Sequence, residues 1–336
     1  MKVAFDSGLP FALAHGGFQI QIEQTRCALA RIGVDVDHMR WWDAEQRPDI
    51  IHWFGALNSE YVRHAHSKGI KLVLSELRTA TGSRPAWMLG AQRLLTRAGR
   101  RLLPQSIVAR IGWDIYQRVD SATALTECEA RIMRDISECP PERLRVIPNG
   151  VEDEFFDTSP APALDWLVCT ATIHPRKRVL ELARAAIIAQ VPVWVIGRPY
   201  SEDERYHREF VEVARANPKW VRYDGGIDDR SRLAELYRGA RGFVLISTME
   251  SQSLSALEAA ASRCPLLLTD LPWARATFGV CAAYCPDTSD PAILARHLRA
   301  FWESDRARAQ HFAPPRWTQV AEQLRDLYES LASTSR

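Results

Sequence analysis

The sequence predicts an α/β protein made of two doubly wound domains, each a parallel sheet covered by helices on both faces. Three observations carry this. Short β-branched runs alternate with longer helical patterns along the chain. Many of the strand candidates, such as DIIHWF, VPVWVIG and CPLLLTD, are apolar runs, as strands buried on both faces are, instead of alternating apolar and polar. The 336 residues, 46% hydrophobic and 25% charged, are long for one domain and sufficient for two full cores.

The first half opens on the strand KVAFD (2–6). FQIQIEQTRCALARIG (18–33) follows at helical spacing, with Ile22, Leu29 and Ile32 on one face and Gly33 placed to end it. VDVDHM (34–39), DIIHWF (49–54), IKLVLSE (70–76), SATALT (121–126) and LRVI (144–147) are strands. This half closes near PNGVEDEFF (148–156), and DTSPAPALD (157–165), rich in Pro and Ala, is the linker. The pattern then restarts with WLVCTAT (166–172), VPVWVIG (191–197), WVRYDG (220–225), RGFVLIST (241–248), CPLLLTD (264–270) and AAYCP (282–286). RWTQVAEQLRDLYESLA (316–332) is an amphipathic helix with Val320, Leu324, Leu327 and Leu331 on one stripe.

Composition narrows the function classes. A net charge of +2 is too small to argue for nucleic acid. Seven scattered cysteines, with no CxxC pair or zinc spacing, read as reduced thiols, and no metal site is expected. No apolar run is long enough to span a membrane, and the start lacks a signal-peptide core, so a cytoplasmic protein is expected.

In such sheets ligands bind at the carboxyl ends of strands, so the strand-exit loops are the candidate sites. Gly16 and Gly17 precede the first helix, where free N–H groups and the positive helix end suit an anion, though GxGxxG is absent. Arg176, Lys177 and Arg178 follow a strand and stand near a helix start. Cations there oppose the dipole unless a phosphate joins them; the alternative is a solvated charge run. MESQSLSALEAAA (249–261) leaves a buried strand and enters a helix. Ser253 or Ser255 can cap that helix, and Ser255 with Glu258 fits a capping box in which Glu258 serves only the backbone. The other reading starts the helix near Ser253 and lets Glu250 and Glu258 accept hydroxyl pairs of a sugar or ribose. Residues 84–118 carry Arg84, Arg93, Arg97, Arg100, Arg101, Arg110 and Arg118 against one acid, Asp114, interleaved with apolar residues from Trp87 to Trp113. That suits an anionic leaflet, or else an ordinary surface helix with its apolar side on the sheet.

Taken in order, these pieces resemble the retaining glycosyltransferases of the GT-B fold, family 4, over nearly the whole chain. HGGFQIQIEQTRCALARIGVDV (15–36) is similar to that family's glycine loop and first helix, and PDIIHWFG (48–55) to its next strand motif. VIPNGVEDEFF (146–156) is similar to its domain-junction signature, and ATIHPRKR (171–178) to its phosphate loop. ESQSLSALEAAASRCPLLLTD (250–270) is similar to its E-x7-E motif, and RWTQVAEQLRDLYESL (316–331) to its terminal helix.

The resemblance implies two Rossmann-like domains facing across a cleft. The acceptor-binding domain would span 1–158 and the nucleotide-sugar domain 159–312, with 313–336 as a helix returning to the first. It implies metal-independent, retaining hexosyl transfer from a UDP- or GDP-sugar, with no further cofactor, to a lipid-linked or glycan acceptor in polysaccharide biosynthesis. A location on the inner face of the membrane would suit it. Glu258 would hold the ribose, and Glu250, with the backbone from Ser251 through Ser253 to Leu254, the donor sugar. Lys177 and Arg176 would neutralise the diphosphate, and Gly16 and Gly17 would approach it from the other domain. Gly197 and Arg198 would border the donor. Thr172 stands where the family carries arginine, with Arg176 or Arg198 as its substitute, and Ser253 where it carries glycine. The usual histidine of the first domain is absent, leaving His15 and Glu76 as acceptor-side candidates. A GT-B epimerase, or a sugar-nucleotide-binding subunit without strong activity, is the alternative.

Overall fold

The computed structural model describes residues 1–8, 10–11, 16–84, 86–304 and 310–333. They form two compact units, Met1–Gly150 with Trp317–Arg336, and Val151–Arg316.

Among the described residues, the first unit holds β1 (Lys2–Ser7), α1 (Gly17–Arg31), β2 (Asp35–His38), β3 (Ile50–Phe54), α2 (Ser59–Ser67), β4 (Lys71–Ser75), α3 (Thr79–Gly82), α4 (Ala86–Leu102), α5 (Gln105–Ile111), α6 (Ile115–Arg118), β5 (Ser121–Ala124), α7 (Glu127–Asp135) and β6 (Leu144–Val146). The strands pair in the order β2-β1-β3-β4-β5-β6, all parallel. All five residues of β3 are buried, which is why its sequence shows no alternation. Ile51, Trp53, Leu72, Leu74, Ala122 and Met133 centre this core.

The second unit holds β7 (Leu164–Thr170), α8 (Val179–Ala189), β8 (Val193–Ile196), α9 (Arg205–Ala216), β9 (Val221–Tyr223), α10 (Arg230–Gly239), β10 (Ala240–Leu245), α11 (Leu254–Ala261), β11 (Leu266–Thr269), α12 (Pro272–Phe278), β12 (Ala283–Cys285) and α13 (Pro291–Glu303). Its parallel sheet runs β12-β11-β10-β7-β8-β9. The chain winds outward from β7 to β9, then returns to β10 on the other side. The carboxyl ends of β7 and β10 therefore flank a topological switch point, where such sheets bind ligands.

The last helix, α14 (Trp317–Ser333), belongs to the first unit and packs on α1. Val320, Leu324 and Leu327, spaced at helical repeats, are buried as their pattern predicts. Tyr328 is buried with them. Its hydroxyl lies 2.6 Å from Nδ1 of His52 in β3, whose Nε2 lies 2.6 Å from Ser75 Oγ in β4. Ser75 in turn hydrogen-bonds Thr123 of β5. Burial drives the His52 pKa down to about 3, so the ring is neutral near neutral pH. Gly150 accounts for the small residue in IPNG: a Cβ there would sit 2.6 Å from the Trp317 Cα.

Candidate active site

Three strand exits of the second unit build the site. After β7 the chain turns through Ala171–Ile173 into a short 3-10 turn, Pro175–Lys177, capped by His174, whose Nδ1 accepts from the Arg176 N–H at 3.2 Å. This loop lies against the exit of β8. The Ala171 N–H donates to the Ile196 carbonyl at 3.0 Å, and the Ile173 N–H to the Arg198 carbonyl at 3.1 Å. The approach is so close that a Cβ at Gly197 would fall 1.9 Å from the Ala171 oxygen. Only glycine fits there without moving backbone. Arg198 itself points to an exposed two-pronged pair with Asp228, at 2.7 Å on each prong.

The exit of β10 is tied to the same turn. Thr248 N–H donates to the Arg176 carbonyl at 2.9 Å, and Lys177 Nζ is ion-paired with Glu250. Both side chains are largely buried, at 12% and 9% exposure, so the pair is shielded from solvent. The chain then enters α11 through Ser253, whose hydroxyl accepts from the Ala256 N–H at 3.4 Å. Ser253 is the cap. The capping box from Ser255 does not form, because Glu258 faces inward and is held by another side chain.

That side chain is Arg230, the first residue of α10. Its Nη2 lies 2.5 Å from Glu258 and 3.0 Å from Glu152, and its guanidinium stacks on Phe155 at 4.7 Å. Burial pushes the Glu258 carboxyl above its usual range. Arg230 draws it down, and Glu152 pushes it up again. The Arg230 charge is opposed by burial but held on by Glu258 and Glu152, with a pKa above the ordinary arginine value. Sequence reasoning missed both partners. The signal was present: a cation at the start of a helix is unfavourable unless a carboxylate meets it.

Of the expected site residues, the structure brings together Arg176, Lys177, Glu250, Ser251, Ser253 and Leu254 on two joined loops. Glu258 lies on the helix that continues the second loop. Thr172 and Gly197 lie on the neighbouring exits. Gly16 and Gly17 lie at the start of α1, in the first unit. Glu76 is also in that unit. It accepts from the Tyr116 hydroxyl at 2.6 Å and pairs with Arg78 at 3.0 Å. His15 lies outside the described residues.

The sequence matches two family models. Residues 23–150 match a glycosyl transferase 4-like domain, and residues 165–304 match glycosyl transferases group 1. Between them they take in most of both units. The chain belongs to the group 1 glycosyltransferases of the GT-B fold.

Solved structures agree on the architecture of this glycosyltransferase. It is similar to a sucrose-phosphate synthase from Thermosynechococcus elongatus, at 18% identity and a TM-score of 0.69, covering 99% of this chain and 100% of that one. A glycosyltransferase from Rickettsia africae ESF-5 is 12% identical with a TM-score of 0.64, covering 98% of each chain. Anabaena HepE in complex with UDP is 13% identical with a TM-score of 0.63, covering 98% of this chain and 100% of that one. At such identities the likeness is one of fold. No curated protein matches the glycosyltransferase in sequence.

Proposed function

We propose that the second unit binds a UDP- or GDP-linked hexose. The sugar is transferred, with retention of configuration and without a metal, to a lipid-linked or glycan acceptor held by the first unit. The observation that carries this is the Lys177–Glu250 pair at the switch point, with Glu258 deeper on the helix that follows Glu250. HepE, similar in fold, is solved with UDP and with UDP-glucose, which supports a nucleotide-sugar donor here. Polysaccharide assembly at the inner face of the membrane, with residues 84–118 on an anionic lipid surface, completes the reading.

On donor binding, Lys177 exchanges Glu250 for the diphosphate. That frees the Glu250 carboxylate for the hydroxyls of the sugar. Arg176 and the N–H groups from Ser251 to Leu254 add positive potential where the leaving group gathers charge. Glu258, whose carboxyl pairs with Arg230, accepts from the ribose diol. The acceptor hydroxyl attacks from the face that the nucleoside diphosphate leaves.

Nucleoside diphosphate release across a panel of sugar nucleotides tests the reading. At least one UDP- or GDP-sugar is expected to turn over. Lys177→Met should lower kcat by roughly 100-fold, the scale of losing one preorganised charge at the leaving group. Glu258→Gln should weaken nucleotide binding by roughly 10-fold or more, the worth of charged hydrogen bonds. Unchanged affinity in Glu258→Gln would remove the ribose role. Thr172 and Ser253 favour a second reading, a sugar-nucleotide-binding subunit of weak activity. It predicts binding without release for every donor.

A further inference from the structure

The helix α4 turns its apolar side outward. Trp87, Ala91, Leu94, Leu95, Ala98 and Leu102 follow one another at i, i+4, i+7, i+8, i+11 and i+15, a single stripe on a helix of 3.6 residues per turn. Trp87 is 72% exposed, Leu94 71%, Leu95 67% and Leu102 82%. The opposite side, with Thr96 and Gly99, is the one that packs, and a Cβ on Gly99 would meet the Trp113 ring. The expectation of a surface helix with its apolar side on the sheet is thus reversed. Ile107 and Ile111 of α5, spaced i, i+4, are exposed as well.

The six arginines from Arg84 to Arg110 divide into two sets, and Arg118 pairs with Asp114. Arg97 and Arg100 pair with Glu138, and Arg93 with Asp135, so these three hold α4 to the body of the unit. Arg84, Arg101 and Arg110 are exposed, and Arg84 donates to the neutral Gln92. From residue 77 to residue 113 the sequence has no Asp or Glu. A second copy of this chain would bring like charges face to face, and an ordinary water-facing surface mixes signs. An apolar stripe roughly 25 Å long, rimmed by cations of one sign, fits a surface that is apolar within and anionic at its edge.

We infer that α4 and α5 lie in the plane of an anionic lipid leaflet, with the stripe from Trp87 to Leu102 inserted and Arg84, Arg101 and Arg110 at the headgroups. Arg93, Arg97 and Arg100 take no part in lipid contact and serve as struts. The inference deepens the membrane side of the proposed function, and its test does not depend on catalysis.

The full-length protein is floated with vesicles of equimolar phosphatidylcholine and phosphatidylglycerol, and with phosphatidylcholine alone. Wild type is expected to float with the first at least tenfold more than with the second. Leu94→Asp/Leu95→Asp, at exposed sites that leave the fold intact, should lose at least tenfold of that binding, and Arg101→Glu/Arg110→Glu a similar share. Acyl-chain bromine should quench tryptophan fluorescence in wild type and less in Trp87→Phe. Wild type absent from both floats overturns the inference. So does a Leu94→Asp/Leu95→Asp variant that floats like wild type, or one whose only change is a dimer turned monomer in sedimentation. Nucleoside diphosphate release, measured without vesicles on the same samples, scores the catalytic reading separately.

Discussion

Arg230 opposes the effect of burial on an enclosed acid. Burial raises the Glu258 pKa, Arg230 draws it down, and Glu152 pushes it up again. Arg230→Met is therefore expected to raise the Glu258 pKa further. Nucleotide affinity should then fall as pH is lowered, starting at a higher pH than in wild type, because a protonated carboxyl accepts fewer hydroxyl donors. Adding Glu152→Gln to Arg230→Met removes the like charge and should restore part of the affinity. Titration of nucleotide by calorimetry across pH checks this. A merely structural role would lower the melting temperature and leave the pH profile unmoved. The E-x7-E spacing and the basic loop were legible in the sequence because they sit next to strand ends. Arg230 and Glu152 were not, since they meet Glu258 only through the fold, across 28 residues for Arg230.

At the scale of elements, the strands and α14 were readable because burial on one face or two imposes a period. The hydrogen bond from Tyr328 to His52 was not legible, because an apolar stripe carries no sign of a hydroxyl aimed at a buried ring. Burial of the His52 ring sets a pH response. His52 has a folded pKa of about 3, below the ordinary value near 6.5. Between these values the unfolded chain binds the proton and the folded one does not. The contribution is intact above about pH 6.5 and is lost as pH falls toward 3, by up to about 1.4 kcal/mol per pH unit. Denaturant unfolding of His52→Gln should show a shallower decline over that window than wild type. Tyr328→Phe should cost about 1–3 kcal/mol by leaving a buried ring nitrogen without its partner. The orientation of α4 was not legible either: a helical period gives a stripe, but which way it faces depends on the packing of Thr96, Gly99 and Trp113.

For the molecule as a whole, two cores on one chain mean that a ligand of one unit protects that unit first. Saturating nucleotide is expected to slow amide exchange in β10 and α11, while β1 and β3 change little, by the linkage between binding and stability. Equal protection in both units would place the nucleotide elsewhere. The return of α14 to the first unit has a further consequence, for the order of synthesis. The face of α1 that α14 covers, and the nitrogen of His52 that Tyr328 meets, wait for residues made after the entire second unit. At ordinary rates of translation that is roughly 10–40 s in which the earlier unit is complete except for its closing helix. Chains released before Trp317 should therefore be captured by chaperones through α1, while the second unit, contiguous in sequence, folds as it emerges.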